Sequence, residues 1–470
     1  MKRTPFVLMT VIMVMALFLS ACGPAATPAP TQAPTTQPVQ AAPTTAAAAP
    51  AATTAPAAAA FNWQSHKGEA LRVAMVDQPG AKFIASHIDE FKALTGIDVT
   101  YEVLPEDQFR QKTTVEFAAG TSTVDVFLSM VQQEGIKYET AGWYEDLTPY
   151  INNTKITNPD FDYQDFTQSG LAIGRLSNGK QIGLPIYNEF GALMFNKALF
   201  DKAKIAYPPK TIQDVEAAAK AINDPANGVY GFCGRGKAAS GTSQFATIMF
   251  GFGSQWVKDS KANLLDQKWL DSMTWYGNLI KSYGPPGETA MTWNQCQDLL
   301  VNGKVGMWLD ASIFFANVVD PAQSKIVDTA GIAMGPSGPA GQVPYVGGWH
   351  MSMYSGSQHK EAGWLFIQWA LGKDMTLKAQ LANITTGRNS AWNSPEYKAQ
   401  NKHPDLTEAF LAAMKQGNVQ WNPPVLNVTE ARDDIGVVLV TAIEGGDIKA
   451  AATKANAQLQ ALVDATPLLK

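Results

Sequence analysis

Alternating strand and helix patterns from residue 70 onward constrain the fold more than any other feature of this sequence. Residues 70–76 form an apolar run typical of a buried strand, and residues 82–94 show a helical pattern closed by Gly96. Residues 97–103 alternate like a second strand, and residues 124–128 form a third apolar run. Strands separated by single helices indicate βαβ units, so we predict an α/β fold with mainly parallel sheets flanked by helices.

Two later segments extend this pattern. Thr211 and Asp214 begin a predicted helix over 211–222, because Thr caps a helix N-terminus and an acid favours its first turn. Residues 360–371 are predicted to form an apolar helix too short to cross a membrane. Residues 174–180 match most of a phosphate-binding loop, but Asn178-Gly179 is better explained as a hairpin turn.

The first 21 residues predict a secretory signal peptide. Lys2 and Arg3 precede an apolar run over 6–20, and small residues stand just before Cys22. This junction resembles the lipobox of bacterial lipoproteins, in which the cysteine carries a lipid and becomes the new N-terminus. The alternative is an ordinary signal peptide with a chance cysteine. In the lipobox interpretation, the lipid on Cys22 is expected to anchor the protein to the outer face of the cytoplasmic membrane, in an extracellular or periplasmic location.

Residues 22–60 predict a disordered tether after the lipid-bearing cysteine. The segment 23–60 consists almost wholly of Ala, Thr, Pro and Gln, lacks charge, and has Val39 as its only large aliphatic residue, so it lacks the material for a core. It either holds a globular body away from the membrane or is a passive spacer. The tether also explains part of the low charged fraction, 16%. The net charge of −5 argues against a nucleic-acid partner.

Enzymatic motifs are weak in the body that begins at residue 61. The five histidines show no metal-ligand spacing, and no nucleophile elbow is present, so we expect neither a metal nor another cofactor. Cys233 and Cys296 either pair in an oxidising compartment or are two small buried apolar residues. The sequence favours the second interpretation, because nothing in it indicates pairing.

Aromatic residues adjoin polar ones at several predicted loops, namely 187–190, 308–310, 349–350 and 387–389. Aromatic faces pack on the C–H groups of sugars and polyols, while acids, amides and Arg bind their hydroxyls. This mixture is typical of a carbohydrate site. For each loop the alternative is a core aromatic residue beside a surface charge.

Several segments then resemble the extracellular solute-binding proteins of ABC-type sugar importers, which include the maltose-binding proteins. They occur in the family's order at 91–99, 124–126, 141–147, 182–185 with 194–197, and 302–307. A finer resemblance to the sorbitol and mannitol-type subgroup lies at 104–112, 230–237, 307–311 and 386–390. The chain departs from that subgroup at 238–244 and 348–352.

The resemblance implies a two-lobed fold of the periplasmic-binding-protein type (type II) with a ligand cleft between the lobes. Lobe I is expected over 61–187 plus 306–370, and lobe II over 188–305 plus 371–470. A monomer is expected to bind a sugar or polyol and deliver it to the transmembrane subunits of an ABC permease. A surface carbohydrate-active enzyme, with Glu189 and Asp310 as paired carboxylates, and a sugar-sensing receptor are the alternatives.

The expected ligand-binding residues follow from the same segments. Glu189, Asp310 and Arg388 are predicted to bind hydroxyl groups, and Tyr187 and Trp349 to stack on the ligand. The further candidates are Arg235, Gln133 and Asp77. The identity of the sugar or polyol stays open at this stage.

Overall fold

The computed structural model describes residues 61–176 and 178–466. The predicted signal peptide, the lipid attachment at Cys22 and the tether up to residue 60 lie outside these residues. The strands are β1 (Ala70–Val76), β2 (Asp98–Leu104), β3 (Val126–Ser129), β4 (Leu184–Pro185), β5 (Glu189–Asn196), β6 (Tyr230–Cys233), β7 (Val257–Lys258), β8 (Lys261–Ala262), β9 (Val305–Ala311), β10 (Ala330–Met334), β11 (Val346–Gly347) and β12 (His350–Met353).

The helices account for most of the remaining chain. They are α1 (Pro79–Ser86), α2 (Ile88–Thr95), α3 (Glu106–Ala119), α4 (Val131–Ala141), α5 (Thr148–Ile151), α6 (Gln168–Ile173), α7 (Lys197–Ala203), α8 (Ile212–Ile222), α9 (Ala238–Gly251), α10 (Gln267–Tyr283), α11 (Trp293–Val301), α12 (Phe315–Val318), α13 (Lys360–Ala370), α14 (Lys373–Leu381), α15 (Asn389–Asn393), α16 (Pro395–Gln400), α17 (Pro404–Gln416), α18 (Val428–Glu444) and α19 (Ile448–Ala465). Among the described helices, none is long and apolar enough to span a bilayer.

Local sequence signals explain several of these boundaries. Gly96 ends α2 in the left-handed region, with φ of 71°, as the sequence predicts. Thr211 and Asp214 form a reciprocal capping box at the start of α8. Around the predicted turn at Asn178-Gly179, Arg175 pairs with Gln181 in an antiparallel bridge, which confirms a hairpin and not a phosphate loop. The predicted helix 82–94 is instead two helices, because the backbone leaves helical geometry at His87 (φ −112°, ψ 2°).

Two mixed sheets form the centre of the structure. The first has the order β2-β1-β3-β12-β4, in which β1 runs parallel to β2 and β3, and β12 runs antiparallel to β3 and β4. The second has the order β10-β5-β9-β6, with β11 on β5, and only β6 and β9 are parallel neighbours. The α/β prediction is confirmed, but the sheets are mixed and not mainly parallel, because β5 enters the second sheet against its neighbours.

Each sheet has its own layer of helices, so we call the two assemblies the first and second lobes. Helices α1, α2, α3 and α13 pack on the first sheet, and helices α8 to α11 and α17 pack on the second. Helices α18 and α19 cover α9 and α10. This pairing corrects the expected boundaries, because β9 and β10 belong to the second sheet although residues 306–370 were expected in the first lobe.

The beginning of the expected second-lobe segment 371–470 also packs differently. Lys378 of α14 forms an ion pair with Glu90 of α2, and Lys373 forms one with Asp162. Helix α14 therefore packs on first-lobe elements. The chain returns to the second lobe at α17, which packs on β10.

Cys233 and Cys296 form a disulfide, which corrects the preference for two separate buried residues. Cys233 ends β6 and Cys296 faces inward from α11, and their Cα atoms lie 5.6 Å apart. Both residues are fully buried. Their proximity results from the packing of α11 beside the strand pair β6 and β9, which the spacing of two cysteines in the sequence does not reveal.

Candidate functional site

Two chain crossings lie side by side between the lobes. One runs from Pro185 to Glu189, where β4 ends and β5 begins, and the other runs from Gly347 to His350. The two are in close contact, because a Cβ atom on Gly348 would stand 2.3 Å from the Tyr187 carbonyl oxygen. Glycine is therefore required at 348. The crossing from β4 to β5 joins the first sheet to the second, and the crossing from β11 to β12 returns the chain to the first sheet.

Arg235 and Asp310 meet at one end of the second sheet. Their strands β6 and β9 are parallel neighbours, so the residues that follow or end them reach the same edge. Arg235 donates from Nε and Nη2 to Asp310 at 2.8 and 2.5 Å. Asp310 also accepts from the Trp308 indole at 3.0 Å and the Ala311 amide at 2.7 Å. Each carboxylate oxygen thus receives two hydrogen bonds, so Asp310 orients Arg235 and has no free oxygen for a ligand.

Glu189 lies nearby in a different environment. It is 5% exposed, and its carboxyl receives no hydrogen bond from the described residues. Burial raises its pKa to about 8, and the charges of Asp310 and Glu106 add to that effect while Arg235 opposes it. The group is therefore largely protonated at neutral pH. A neutral carboxyl both donates and accepts a hydrogen bond, as a hydroxyl group does.

The first lobe contributes a second charged cluster through α3. Arg110 donates to Glu106 one turn earlier and to Glu134 of α4 at 3.3 Å. Its guanidinium carbon stands 5.1 Å from the ring centroid of Trp349. The pKa of Glu106 is lowered in spite of its burial, because Arg110, Arg235 and Arg432 lie close to it. Charges of both lobes therefore interact across the space between them.

Four hydrogen bonds join α4 to the second lobe. Gln132 donates from Nε2 to the carbonyl groups of Val346 at 3.1 Å and Val419 at 3.3 Å. Asn422 donates to the Gln132 carbonyl at 3.3 Å, and Arg432 donates to the Gln133 side chain at 2.8 Å. These bonds hold the lobes in contact, and Gln133 belongs to this closure.

Five of the ten buried side-chain atoms that lack a partner among the described residues belong to α3, α4, α9 and the loop at 421–422. Each is buried and has no hydrogen-bond partner among the described residues: Arg110 Nη2, Gln132 Oε1, Gln244 Oε1, Trp421 Nε1 and Asn422 Oδ1. A Cβ atom on Gly347 would stand 2.9 Å from Trp421 Nε1 and 3.6 Å from Glu189 Oε1, so Trp421 of this set adjoins the Glu189 carboxyl. The Tyr345 and Trp421 rings pack 5.3 Å apart beside it.

This arrangement matches the needs of a hydroxyl-rich ligand. Native proteins pair nearly all of their buried polar groups, so a cluster of unpaired donors and acceptors indicates a partner of mixed polarity. The aromatic faces of the cluster fit the C–H surface of such a ligand. We call this set of residues, together with Glu189 and Arg235, the cleft site.

The predicted site residues divide into four groups, the last of which lies outside the cleft. Glu189 and Arg235 face the cleft site, and Asp310 and Gln133 lie beside it but are occupied by protein partners. Tyr187 and Trp349 are at most 1% exposed and form its wall, where the Tyr187 hydroxyl donates to Gln78 at 2.6 Å. Asp77 lies outside the cleft, because it forms an ion pair with Lys82 on the surface, with 43% of its side chain exposed.

Arg388 is not a cleft residue. It is fully buried, stands 3.9 Å from the Phe166 ring centroid, and donates to the carbonyl groups of Phe161 and Leu371 at 2.6 Å each. Its remaining donors reach Asp162 and Asp165. All three nitrogens are therefore used within the protein, and the residue connects segments of the first lobe.

Sequence reasoning missed the residues that carry the unpaired atoms. Arg110, Gln132, Gln244, Trp421 and Asn422 lie on three helices and one loop that are distant in sequence. The run Gln420-Trp421-Asn422 combines an aromatic residue with two amides, which is the same signal that singled out the other loops.

The comparisons with known proteins agree with this geometry. Residues 76–376 match the model of the bacterial extracellular solute-binding protein family, and the chain belongs to this family. The erythritol/L-threitol-binding protein of Mycolicibacterium smegmatis is 26% identical over 82% of this chain and 84% of its own length. The mannitol-binding protein of Pseudomonas aeruginosa is 28% identical over 73% of this chain and 77% of its own length.

Solved structures confirm the two-lobed fold. An ABC transporter solute-binding protein of Agrobacterium vitis with bound D-mannitol is 26% identical, with a TM-score of 0.76 over 85% of this chain and 99% of its own. A solute-binding protein of Agrobacterium radiobacter in complex with ribitol has a TM-score of 0.77 over 84% of this chain and 99% of its own. It is 24% identical and therefore supports the fold alone.

Proposed function

We propose that this protein captures a sugar alcohol or a small sugar in the cleft site and delivers it to an ABC-type membrane permease. The observation that carries the proposal is the set of buried unpaired donors and acceptors beside Tyr345 and Trp421. The polyols named for the two relatives and for the mannitol-bound structure support the same ligand class.

Lobe closure supplies the mechanism. Polar bonds between α4 and the second lobe stabilise the closed form, and a ligand that pairs the remaining cleft atoms stabilises it further. Ligand binding thus shifts the population toward the closed form, which is the form we expect the permease to recognise. The proposed first lobe is built on the first sheet and includes α13 and α14, and the proposed second lobe is built on the second sheet with α17 to α19.

Binding without turnover is the function that the cleft supports. A glycosidase needs two free carboxyl groups, but both oxygens of Asp310 are saturated by Arg235, Trp308 and Ala311. Glu189 therefore lacks a free partner carboxylate in Asp310. The known members in the comparisons are binding proteins as well.

The N-terminal signals place this function outside the cytoplasm. We propose that Cys22 carries a lipid, that residues 23–60 connect it to the globular body, and that the protein works as a monomer on the outer face of the cytoplasmic membrane. A C22S variant is expected to lose labelling by a radioactive fatty acid and to leave the membrane fraction. Retention of both label and membrane association by C22S would refute the anchor.

A thermal-shift screen tests the ligand class. Ligands that bind the native state raise the unfolding midpoint, by an amount that grows with concentration. We expect erythritol, ribitol or D-mannitol to raise it, and amino acids to leave it unchanged. A shift with amino acids and none with any polyol or sugar would refute the proposed function.

A further inference from the structure

Glu189 stands out because it is a buried acid without a compensating bond. Asp310 receives four hydrogen bonds, and Glu106 is bonded to Arg110. The Glu189 carboxyl receives none from the described residues, although the residue is only 5% exposed. An uncompensated buried carboxylate is costly, so such a group takes up a proton instead.

The surroundings of Glu189 come from both lobes. Within the second lobe, the Arg235–Asp310 pair and Tyr345 are its charged or titratable neighbours. From the first lobe, Glu106 adds a like charge, and Tyr187 belongs to the crossing segment. Arg110 and Arg432 are engaged with Glu134 and Gln133.

One part of this environment comes from the opposite lobe. Glu106 belongs to α3 of the first lobe and Glu189 to β5 of the second, so the two approach each other only when the lobes meet. The bonds of Gln132 to Val346 and Val419 close the same space. Separation of the lobes removes the like charge and admits water, and both changes favour the ionised carboxylate.

We propose that closure of the cleft on a polyol takes up one proton from solution onto Glu189, and that the neutral carboxyl donates its O–H to a ligand hydroxyl. The inference rests on the proposed function and adds a regulation of the same site. The proton comes from the buffer, no other bond is made or broken, and the other carboxyl oxygen accepts a hydrogen bond from the ligand. Ligand affinity therefore falls as the pH rises from about 5 toward 8, where the closed-form carboxyl ionises.

Titration calorimetry in paired buffers measures this proton directly. D-mannitol, ribitol and erythritol are titrated into the purified protein at pH 7 in phosphate and in Tris, which differ in their heat of ionisation. We expect an uptake close to one proton per bound ligand. Between about pH 5 and 8, the dissociation constant should increase several-fold to about tenfold per pH unit.

Two variants identify the group. In Glu189→Gln the amide keeps the shape and the ability to donate, but it does not titrate, so we expect binding with no proton uptake and no pH dependence. Glu216→Gln, at an exposed position of α8, is the matched control and should retain the wild-type uptake. A wild-type enthalpy that is equal in both buffers, a proton release, or an E189Q variant with the wild-type uptake would each overturn the proposal.

The result also separates the proposal from the function on which it rests. Polyol binding without proton uptake would overturn the proton linkage and leave the proposed function intact. No binding with any polyol or sugar, in calorimetry or in the thermal-shift screen, would overturn both. If E189Q folds poorly, the wild-type pH dependence of the dissociation constant decides the proposal, because a flat profile from pH 5 to 8 refutes it.

Discussion

Replacing Asp310 by Ala distinguishes a structural role of this residue from the ligand contact that the sequence predicted. Asp310 is fully buried, and its two oxygens hold Arg235, the Trp308 indole and a backbone amide. Removal of one partner from a buried ion pair costs about 3–5 kcal/mol, because the other charge stays behind. Arg235 is 11% exposed, so water relieves little of this cost. We therefore expect D310A to lose about 4 kcal/mol of unfolding free energy.

The assay is urea unfolding followed by circular dichroism, without ligand. D310A should lower the urea concentration at the unfolding midpoint. The slope of unfolding free energy against urea concentration should stay unchanged. The double variant D310L/R235M, which removes both charges and keeps apolar volume, should recover a large part of the loss, since a coupled pair is not additive. An unchanged unfolding midpoint in D310A together with a lost polyol affinity would refute this reasoning and restore the direct-ligand prediction.

Three further outcomes follow from other buried groups. Arg388→Met should lower the unfolding free energy by about 3 kcal/mol, because it removes the donors to the buried carbonyl groups of Phe161 and Leu371 and the cationic partner of Asp165, while polyol affinity measured by calorimetry stays at the wild-type value. Burial lowers the pKa of His350 to about 4, so the native state binds fewer protons than the unfolded chain below pH 6.5. The unfolding free energy should therefore fall by about 2 kcal/mol as the pH is lowered from 7.5 to 5. Urea midpoints at the two pH values check this, and His350→Asn should lose that part of the pH dependence. The double variant C233A/C296A should lose about 4 kcal/mol in the same assay, from the closure of a loop with a sequence separation of 63, and an unchanged midpoint would contradict the disulfide.

The local elements of this fold were predictable because their signals are local. The C-terminal cap at Gly96, the capping box of Thr211 and Asp214 and the turn at Asn178-Gly179 each depend on a few neighbouring residues. Sheet membership depends on pairing partners that are far away in sequence. The run 305–311 is an apolar segment that forms β9, but nothing within it shows that its partners are β5 and β6.

The site was predictable in part for the same reason. Glu189 and Arg235 come from segments that resemble the family locally, and the structure brings both close to Asp310. Arg388 shows the opposite case, because an Arg in a loop has the same appearance whether it binds a ligand or the backbone carbonyls of Phe161 and Leu371. Unpaired atoms such as Trp421 Nε1 become visible only when every partner is known.

Titration of a polyol into wild-type protein and a Trp421→Phe variant tests the central claim most directly. Phe keeps an aromatic ring beside Tyr345, and it removes the unpaired indole N–H of the cleft site together with the second ring of the indole. The account predicts that D-mannitol, ribitol or erythritol binds the wild-type protein with one ligand per chain. It also predicts a loss of about tenfold or more in affinity in W421F, since one buried hydrogen bond contributes about 1–2 kcal/mol. No binding of any polyol or sugar, or equal affinity in wild type and W421F, would contradict it.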